Sequence, residues 1–198
     1  MDKQVDNQRD VPNLAEIMSR LQDKSLPPVH LWNPDFCGDI DMRLARDGTW
    51  YYMGTPIGRK PMVKLFSTVL RLDDDGKYYL VTPVEKIGIT VDDAPFVAVE
   101  ATIFGDGEDQ TIVFRTNVDD EVIAGPDNPI RVAIDPETQE PSPYVMVRDG
   151  LEALIARSVF YQLVDLGVET EKDGETILGI WSKGSFFTIG TTEDPADA

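Results

Sequence analysis

Cysteine and histidine are almost absent: Cys37 and His30 are the sole examples of each in 198 residues. A single thiol forms no internal disulfide, which suits a reducing compartment, and a cytoplasmic location is expected. Zinc and most transition-metal sites draw on several Cys or His ligands, so no metal site is expected. A Ser-His-Asp or Cys-His mechanism would have to use His30, which lies between Pro27-Pro28 and Trp32 in an expected loop; a histidine without a catalytic role is the simpler reading. No apolar run approaches the ~18 residues that cross a bilayer. The start, Met1-Asp2-Lys3-Gln4-Val5-Asp6, lacks the basic-then-apolar order of a signal peptide, so neither membrane nor secretion is expected. The chain has no P-loop, no Gly-x-Ser-x-Gly elbow and no GxGxxG fingerprint. Asp73-Asp74-Asp75-Gly76 is not a calcium loop: its acids are consecutive and its twelfth position is Val84, so it reads as a turn.

Positive charge is also scarce. Eighteen Lys and Arg face 36 Asp and Glu, for a net −18, which repels a polyphosphate backbone and an anionic bilayer; no nucleic-acid or membrane partner is expected. The few cations are clustered. Arg43, Arg46, Arg59, Lys60, Lys64 and Arg71 share their stretch with Asp47 alone, making an island of +5 in a remainder of −23. Such an island is either balanced by carboxylates in the fold or forms an anion pocket.

What remains alternates strands and turns, with three helical patterns. Asn13 and Glu16 form a capping pair ahead of Leu14, Ile17, Met18 and Leu21, and Pro27-Pro28 ends that helix. Ile40, Met42 and Leu44 alternate, Asp47-Gly48 turns, and Trp50-Tyr51-Tyr52 resumes an extended strand that Gly54-Thr55-Pro56 breaks. Pro61 suits the first turn of a second helix whose buried stripe is Met62, Leu65, Phe66, Val69 and Leu70. Strands are expected at 77–81, around Ile87, Ile89 and Val91, at 96–104 paired with 111–114, and around Ile130, Val132 and Ile134. The spacing of Leu151, Leu154, Ile155, Val159 and Leu163 predicts a third helix over about 151–166, stopped by Gly167. Strands at 177–181 and 186–189 turn at Lys183-Gly184, and the acidic tail from Thr191 is expected to be disordered.

The fold class is α+β, with two β-rich halves that each carry one main helix; a doubly wound parallel sheet is excluded because strands and helices do not alternate. The partition is an N-terminal helical segment over 1–28, an α+β repeat over 29–84, a β-rich repeat over 85–190 and a tail over 191–198. No pattern names a nucleophile, base or cofactor. The candidate ligand-binding residues are Arg59 and Lys64 at the second helix, Trp50 and Tyr52 as stacking surfaces, Thr82 in a Thr-Pro turn, and Tyr144 with Arg148. Backbone N–H groups at the start of that second helix favour an anion, which Arg59 and Lys60 would complete.

Several segments taken together carry a resemblance: Trp32, Gly38-Asp39, 47–52, Gly54-Thr55-Pro56-Ile57, Leu65-Phe66, 80–86, Asp93-Ala94-Pro95-Phe96, Thr116-Asn117, Pro143-Tyr144-Val145 and Arg148. The pattern, spanning 32–190, resembles an uncharacterised bacterial family, the domain-of-unknown-function family 1285. The resemblance implies an internally duplicated α+β core whose C-terminal half superficially looks like a pleckstrin-homology fold. It also implies a small-ligand site, for a nucleotide-like molecule, in the cleft between the halves, with a role in signalling. It carries no catalytic residues.

Three readings stay open. The first is a non-catalytic sensor or regulatory protein that holds a nucleotide-like anion between its halves. The second is a protein–protein interaction module without a small ligand, which an exposed apolar patch would mark. The third is a hydrolase using carboxylates and Mg²⁺, which converging acids would mark.

Overall fold

In the computed structural model, residues 13–23, 26–172 and 174–191 are described. Apart from Thr191, the expected tail lies outside them. The first helix, α1 (Leu14–Asp23), starts as its capping pair dictates: Asn13 Oδ1 accepts from Glu16 N at 3.0 Å, and Glu16 Oε2 accepts from Asn13 N at 3.3 Å.

Two six-stranded sheets follow, built to the same plan. The first contains β1 (Phe36–Leu44), β2 (Trp50–Tyr52), β3 (Thr55–Pro56), β4 (Leu70–Leu72), β5 (Tyr78–Val81) and β6 (Lys86–Val91), in the order β3-β2-β1-β6-β5-β4. The second contains β7 (Phe96–Phe104), β8 (Thr111–Thr116), β9 (Glu121–Ile123), β10 (Ile130–Ile134), β11 (Pro141–Arg148) and β12 (Leu151–Ile155), in the order β10-β11-β12-β7-β8-β9. Read from the opposite edge, the second order equals the first: a three-stranded meander, a crossover and a second meander, whose first and sixth strands pair in parallel at the sheet centre. All other pairings are antiparallel. The duplication is therefore topological. A likeness of the C-terminal half to the pleckstrin-homology fold is not established by this strand order.

The halves differ at the crossover. In the first, α2 (Lys60–Thr68) joins the two edge strands. In the second, residues 124–129 do so. A flat sheet would put its outer strands ~24 Å apart at ~4.8 Å per strand, nearly the full reach of those residues. They are instead folded on themselves, Gly125 and Asn128 exchanging N–H···O bonds at 3.1 Å, so the second sheet must curl. Its sixth strand is followed by α3 (Arg157–Asp165) and by a third sheet, β13 (Val168–Lys172), β14 (Glu175–Ser182) and β15 (Ser185–Thr191), in that order. One apolar core runs through both halves and the third sheet, including Leu44, Trp50 and Leu70, Phe96, Phe114 and Leu151, and Ile180 and Phe187.

Four sequence expectations need correction. Residues 151–155 form a central strand, not the start of a helix: Leu151, Ala153 and Ile155 are buried in alternation while β12 pairs with β11 and β7. Asp149-Gly150, both at positive φ, form the hairpin turn that precedes it. The second helix buries Ser67 fully and Val63 and Phe66 in part, whereas Met62 and Leu65 are exposed. Thr55-Pro56 does not end the extended chain but adds the edge strand β3. Finally, β6 sits in the middle of the first sheet, so a division at 84/85 cuts through that sheet.

Polar contacts gather where the chain passes between the halves, and the Arg46–Ser142 bond crosses from one to the other. Arg43 forks Asp92 at 2.8 and 2.5 Å, and Arg46 reaches Asp93 at 3.1 Å and Ser142 at 2.8 Å. Deeper in, Arg148 touches three elements at once. Its Nη2 donates to the Ser67 carbonyl near the end of α2 at 2.6 Å, its Nη1 to Asp120 at 3.4 Å, and its guanidinium lies 5.0 Å from the centre of the Phe96 ring. Burial lowers the Arg148 pKa from its ordinary value, yet a guanidinium stays charged at neutral pH.

Arg148→Ala is expected to cost about 2–3 kcal/mol in urea unfolding, because Asp120 and the Ser67 carbonyl lose a largely buried partner. Arg148→Lys should recover only part of it, a point charge being unable to fork both acceptors; a loss below ~1 kcal/mol would contradict this role. Asp73 provides a second test. Arg71 (2.5 Å) and Lys86 (3.0 Å) hold its carboxyl below the usual carboxylate value, the Arg71 hydrogen bond contributing most. Arg71 also ties down the preceding loop by donating to Val29 and Trp32 carbonyls at 3.0 and 2.7 Å. The resulting stability is present above ~pH 4 and disappears as pH falls through the lower folded value. The fall in melting temperature between pH 4 and pH 2 should therefore be shallower in Asp73→Asn; parallel curves would rule this out.

Candidate functional site

The N-terminal end of α2 is electrostatically unusual. Helix N-termini favour acids and disfavour cations. Here the N-cap is Arg59, the first helical residue is Lys60, Lys64 follows one turn later, and the first turn has no acid. No side chain caps the helix. The carboxylates that outnumber cations two to one elsewhere do not come to these three: among the described residues none of them has an ion pair. Arg43, Arg46, Arg71, Lys86, Arg115, Arg131 and Arg148 each have at least one, and the other cations without one among the described residues, Lys77, Arg157 and Lys183, are scattered singly rather than clustered. The cationic island of the sequence thus splits in two. Arg43, Arg46 and Arg71 are neutralised by carboxylates, while Arg59, Lys60 and Lys64 are left to solvent.

Lys60 and Lys64, on one helix face by their i,i+4 spacing, line a cavity of about 430 Å³. Its walls come from both halves: the β1–β2 turn (Asp47-Gly48-Thr49), Ile57, Gly58 and the start of α2 from the first, and the β8–β9 turn (Asn117-Val118-Asp119) from the second. The two turns are fitted to each other. Asn117 Oδ1 accepts from Val97 N at 3.0 Å while its Nδ2 donates to the Gly48 carbonyl at 3.5 Å. Gly48 has φ +84°, a conformation that favours glycine, and a Cβ there would displace the Asn117 amide that reaches its carbonyl. Asp47 accepts from Thr49 N at 2.9 Å, which lowers its carboxyl pKa, and Asp119 pairs with Arg115 at 3.1 Å. Both acids thus have partners of their own, and the lysines face the cavity without one among the described residues.

The candidate residues scatter when placed on this fold. Lys64 lines the cavity and Arg59 flanks it at the helix cap. Tyr52 is half exposed and lies outside the lining. Trp50 is 1% exposed, packed 5.7 Å from the Phe66 ring, and so offers no stacking face. Thr82 closes its own turn, accepting from Glu85 N at 3.1 Å. Tyr144 is buried, donates to Asp93 at 2.8 Å and lies under Arg131, 4.2 Å from its ring. Arg148 is the structural bridge described above. The walls at 47–49 and 117–119 carry no local signal, because what makes them walls is their mutual approach across 69 positions; both segments do occur in the pattern that carries the family resemblance. Among the described residues, no three His, Cys, Asp or Glu side chains gather as a metal site would need, and no helix is long and apolar enough to cross a membrane.

Comparison with known proteins agrees with the duplicated architecture. Residues 27–94 match "Domain of unknown function (DUF1285), N-terminal domain", and residues 95–189 match "Protein of unknown function (DUF1285), C-terminal domain". The boundary falls just after the Asp92–Asp93 junction, between the two sheets. A crystal structure of a DUF1285 family protein from Silicibacter pomeroyi DSS-3 is 56% identical, with a TM-score of 0.78 over 89% of this chain and 95% of that one. Another, from Shewanella baltica OS155, is 24% identical, with a TM-score of 0.49 over 63% of this chain and 90% of that one. No curated protein matches. The two domain matches, side by side over most of the chain, together with the close structural relative, make this chain a member of the DUF1285 family.

Proposed function

We propose that this chain is a non-catalytic regulatory protein that binds a small anionic, nucleotide-like ligand in the cavity between its halves, as part of a signalling response. One observation carries the reading: Lys60 and Lys64 face a cavity of about 430 Å³ without an ion pair among the described residues, in a chain of net −18. Cations at a helix N-terminus repel the helix dipole and one another. A phosphate or carboxylate relieves both; the donors are the lysine ammoniums, because Pro61 has no N–H and Met62 and Val63 N already donate to the Arg59 carbonyl at 2.9 and 3.1 Å. The volume falls within the ~300–1,000 Å³ of small-ligand sites, and Ile57, Pro61, Val63 and Val118 provide the apolar wall such sites use. Asn117 and Thr49 supply polar groups for orientation. The surrounding acid excludes a duplex or a bilayer but lets a compact anion in.

Thermal-shift titration checks this. Inorganic phosphate and a panel of nucleoside mono-, di- and triphosphates are added to the wild type and to Lys60→Ala, Lys64→Ala and Arg59→Ala. At a hundredfold excess over Kd, binding contributes about 2.7 kcal/mol, a rise of roughly 5–10 °C for a chain of this size. The rise should vanish in the lysine variants and shrink in Arg59→Ala. If no compound in the panel moves the wild-type transition, the reading fails.

A further inference from the structure

A second cavity, of about 330 Å³, opens where β11 outruns its neighbour. β12 pairs with β11 as far as Leu154, opposite Tyr144, and past Ile155 the chain turns into α3. The start of β11, Pro141-Ser142-Pro143, keeps only β10 as a strand partner, and its two prolines have no N–H to leave unsatisfied. Pro143, Ile155 and Phe160, all buried, give the cavity an apolar floor, and Tyr161, 57% exposed, adds an aromatic wall.

Four charged side chains line this cavity, and two of them are already used. Arg46 pairs with Asp93 at 3.1 Å and donates to Ser142, while Asp135 accepts from Glu137 N and Thr138 N at 2.9 and 2.8 Å. The other two are Arg157 and Glu140. Neither has an ion pair or a side-chain hydrogen bond among the described residues, and although they share one cavity they do not meet. Arg157 is also the first residue of α3, where the helix dipole disfavours a cation and no acid stands in the first turn. One positive and one negative charge thus remain unmatched beside an apolar floor. We infer that this cavity binds a free α-amino acid with a large apolar or aromatic side chain, its carboxylate on Arg157, its ammonium on Glu140 and its side chain against Phe160 and Tyr161.

The charges select that class. A nucleotide or other anion would satisfy Arg157 but meet Glu140, and an amine would do the reverse. A divalent metal would find one free carboxylate, since Asp135 is committed to its own turn. A zwitterion matches both groups and, having no net charge, is not repelled by a chain of −18. The volume lies at the low end of the ~300–1,000 Å³ of small-ligand sites, which suits one amino acid rather than a peptide.

Isothermal titration calorimetry of the full chain with phenylalanine and leucine tests the inference, which does not rest on the anion site proposed above. Phenylpropionate, phenethylamine and N-acetylphenylalanine serve as analogues that lack one charge. At least one of the two amino acids should bind at submillimolar concentration, and each analogue should be at least tenfold weaker, the size of effect expected for one lost charge-assisted hydrogen bond. Arg157→Gln and Glu140→Gln should each weaken the amino acid to the same extent. Both residues are exposed, so the variants should keep the wild-type melting temperature, and their phosphate-dependent thermal shift should persist because neither lines the first cavity. No heat of binding from either amino acid at millimolar concentration would overturn the inference, as would indifference to both substitutions. Equal binding of N-acetylphenylalanine would overturn it too, giving the cavity to a peptide C-terminus or a simple carboxylate.

Discussion

The largely buried side chain of Arg148, 16% exposed, is the contact on which the arrangement of α2 and the second sheet depends. An unpaired charge removed from water costs several kcal/mol. Here that cost is offset from three sides: the Asp120 carboxylate, the Ser67 carbonyl and the face of Phe96. The Ser67 contact also has the right sign, since the C-terminal end of a helix carries partial negative charge. Asp120 ends the same turn whose earlier residues, 117–119, wall the cavity, and Asp120 N donates to Thr116 Oγ1 at 3.0 Å to close that turn. A single side chain from the second half thus anchors one end of α2, while the turn that pairs with it faces the other end. The width of the cavity is set by that geometry.

Charge organises the rest. A chain with twice as many carboxylates as cations can neutralise almost any cation it chooses, and most of its arginines are forked or paired. Leaving Arg59, Lys60 and Lys64 without ion pairs among the described residues, at the end of a helix that repels them, is an energetic cost with no structural return. An anion in the cavity, as proposed above, would put that cost to use.

Much of the fold was legible. The Asn13–Glu16 cap, the Asp47-Gly48 hairpin, Pro61 in the first turn of α2 and the strands at 96–104 and 111–114 each rest on local chemistry that tertiary contacts did not override. The helix expected from Leu151 failed because two adjoining elements, a central strand and a helix, both present apolar residues to one core. Their combined spacing imitates a single longer helix, and only the Asp149-Gly150 turn betrays the break. The stripe assigned to α2 failed at Met62 and Leu65 because periodicity identifies an apolar face but not whether this chain covers it. Of the site, the cationic helix start was readable from Pro61 and the basic cluster. Arg148 and Trp50 were misplaced as ligand contacts, since sequence shows that a residue can bind an anion or stack on a base, not that the fold has already occupied it. The opposing turn at Asn117 was beyond reach, being brought to Gly48 by the packing of two sheets.

The cavity between the halves is proposed above as an anion site. A backbone amide NMR titration of the full chain with a nucleoside monophosphate tests it most directly. Saturable shifts are expected at Gly58, Lys60, Lys64 and Asn117, with the amides around Arg157 and Asp75 unmoved. Shifts confined to those latter regions, or none at millimolar ligand, would contradict it.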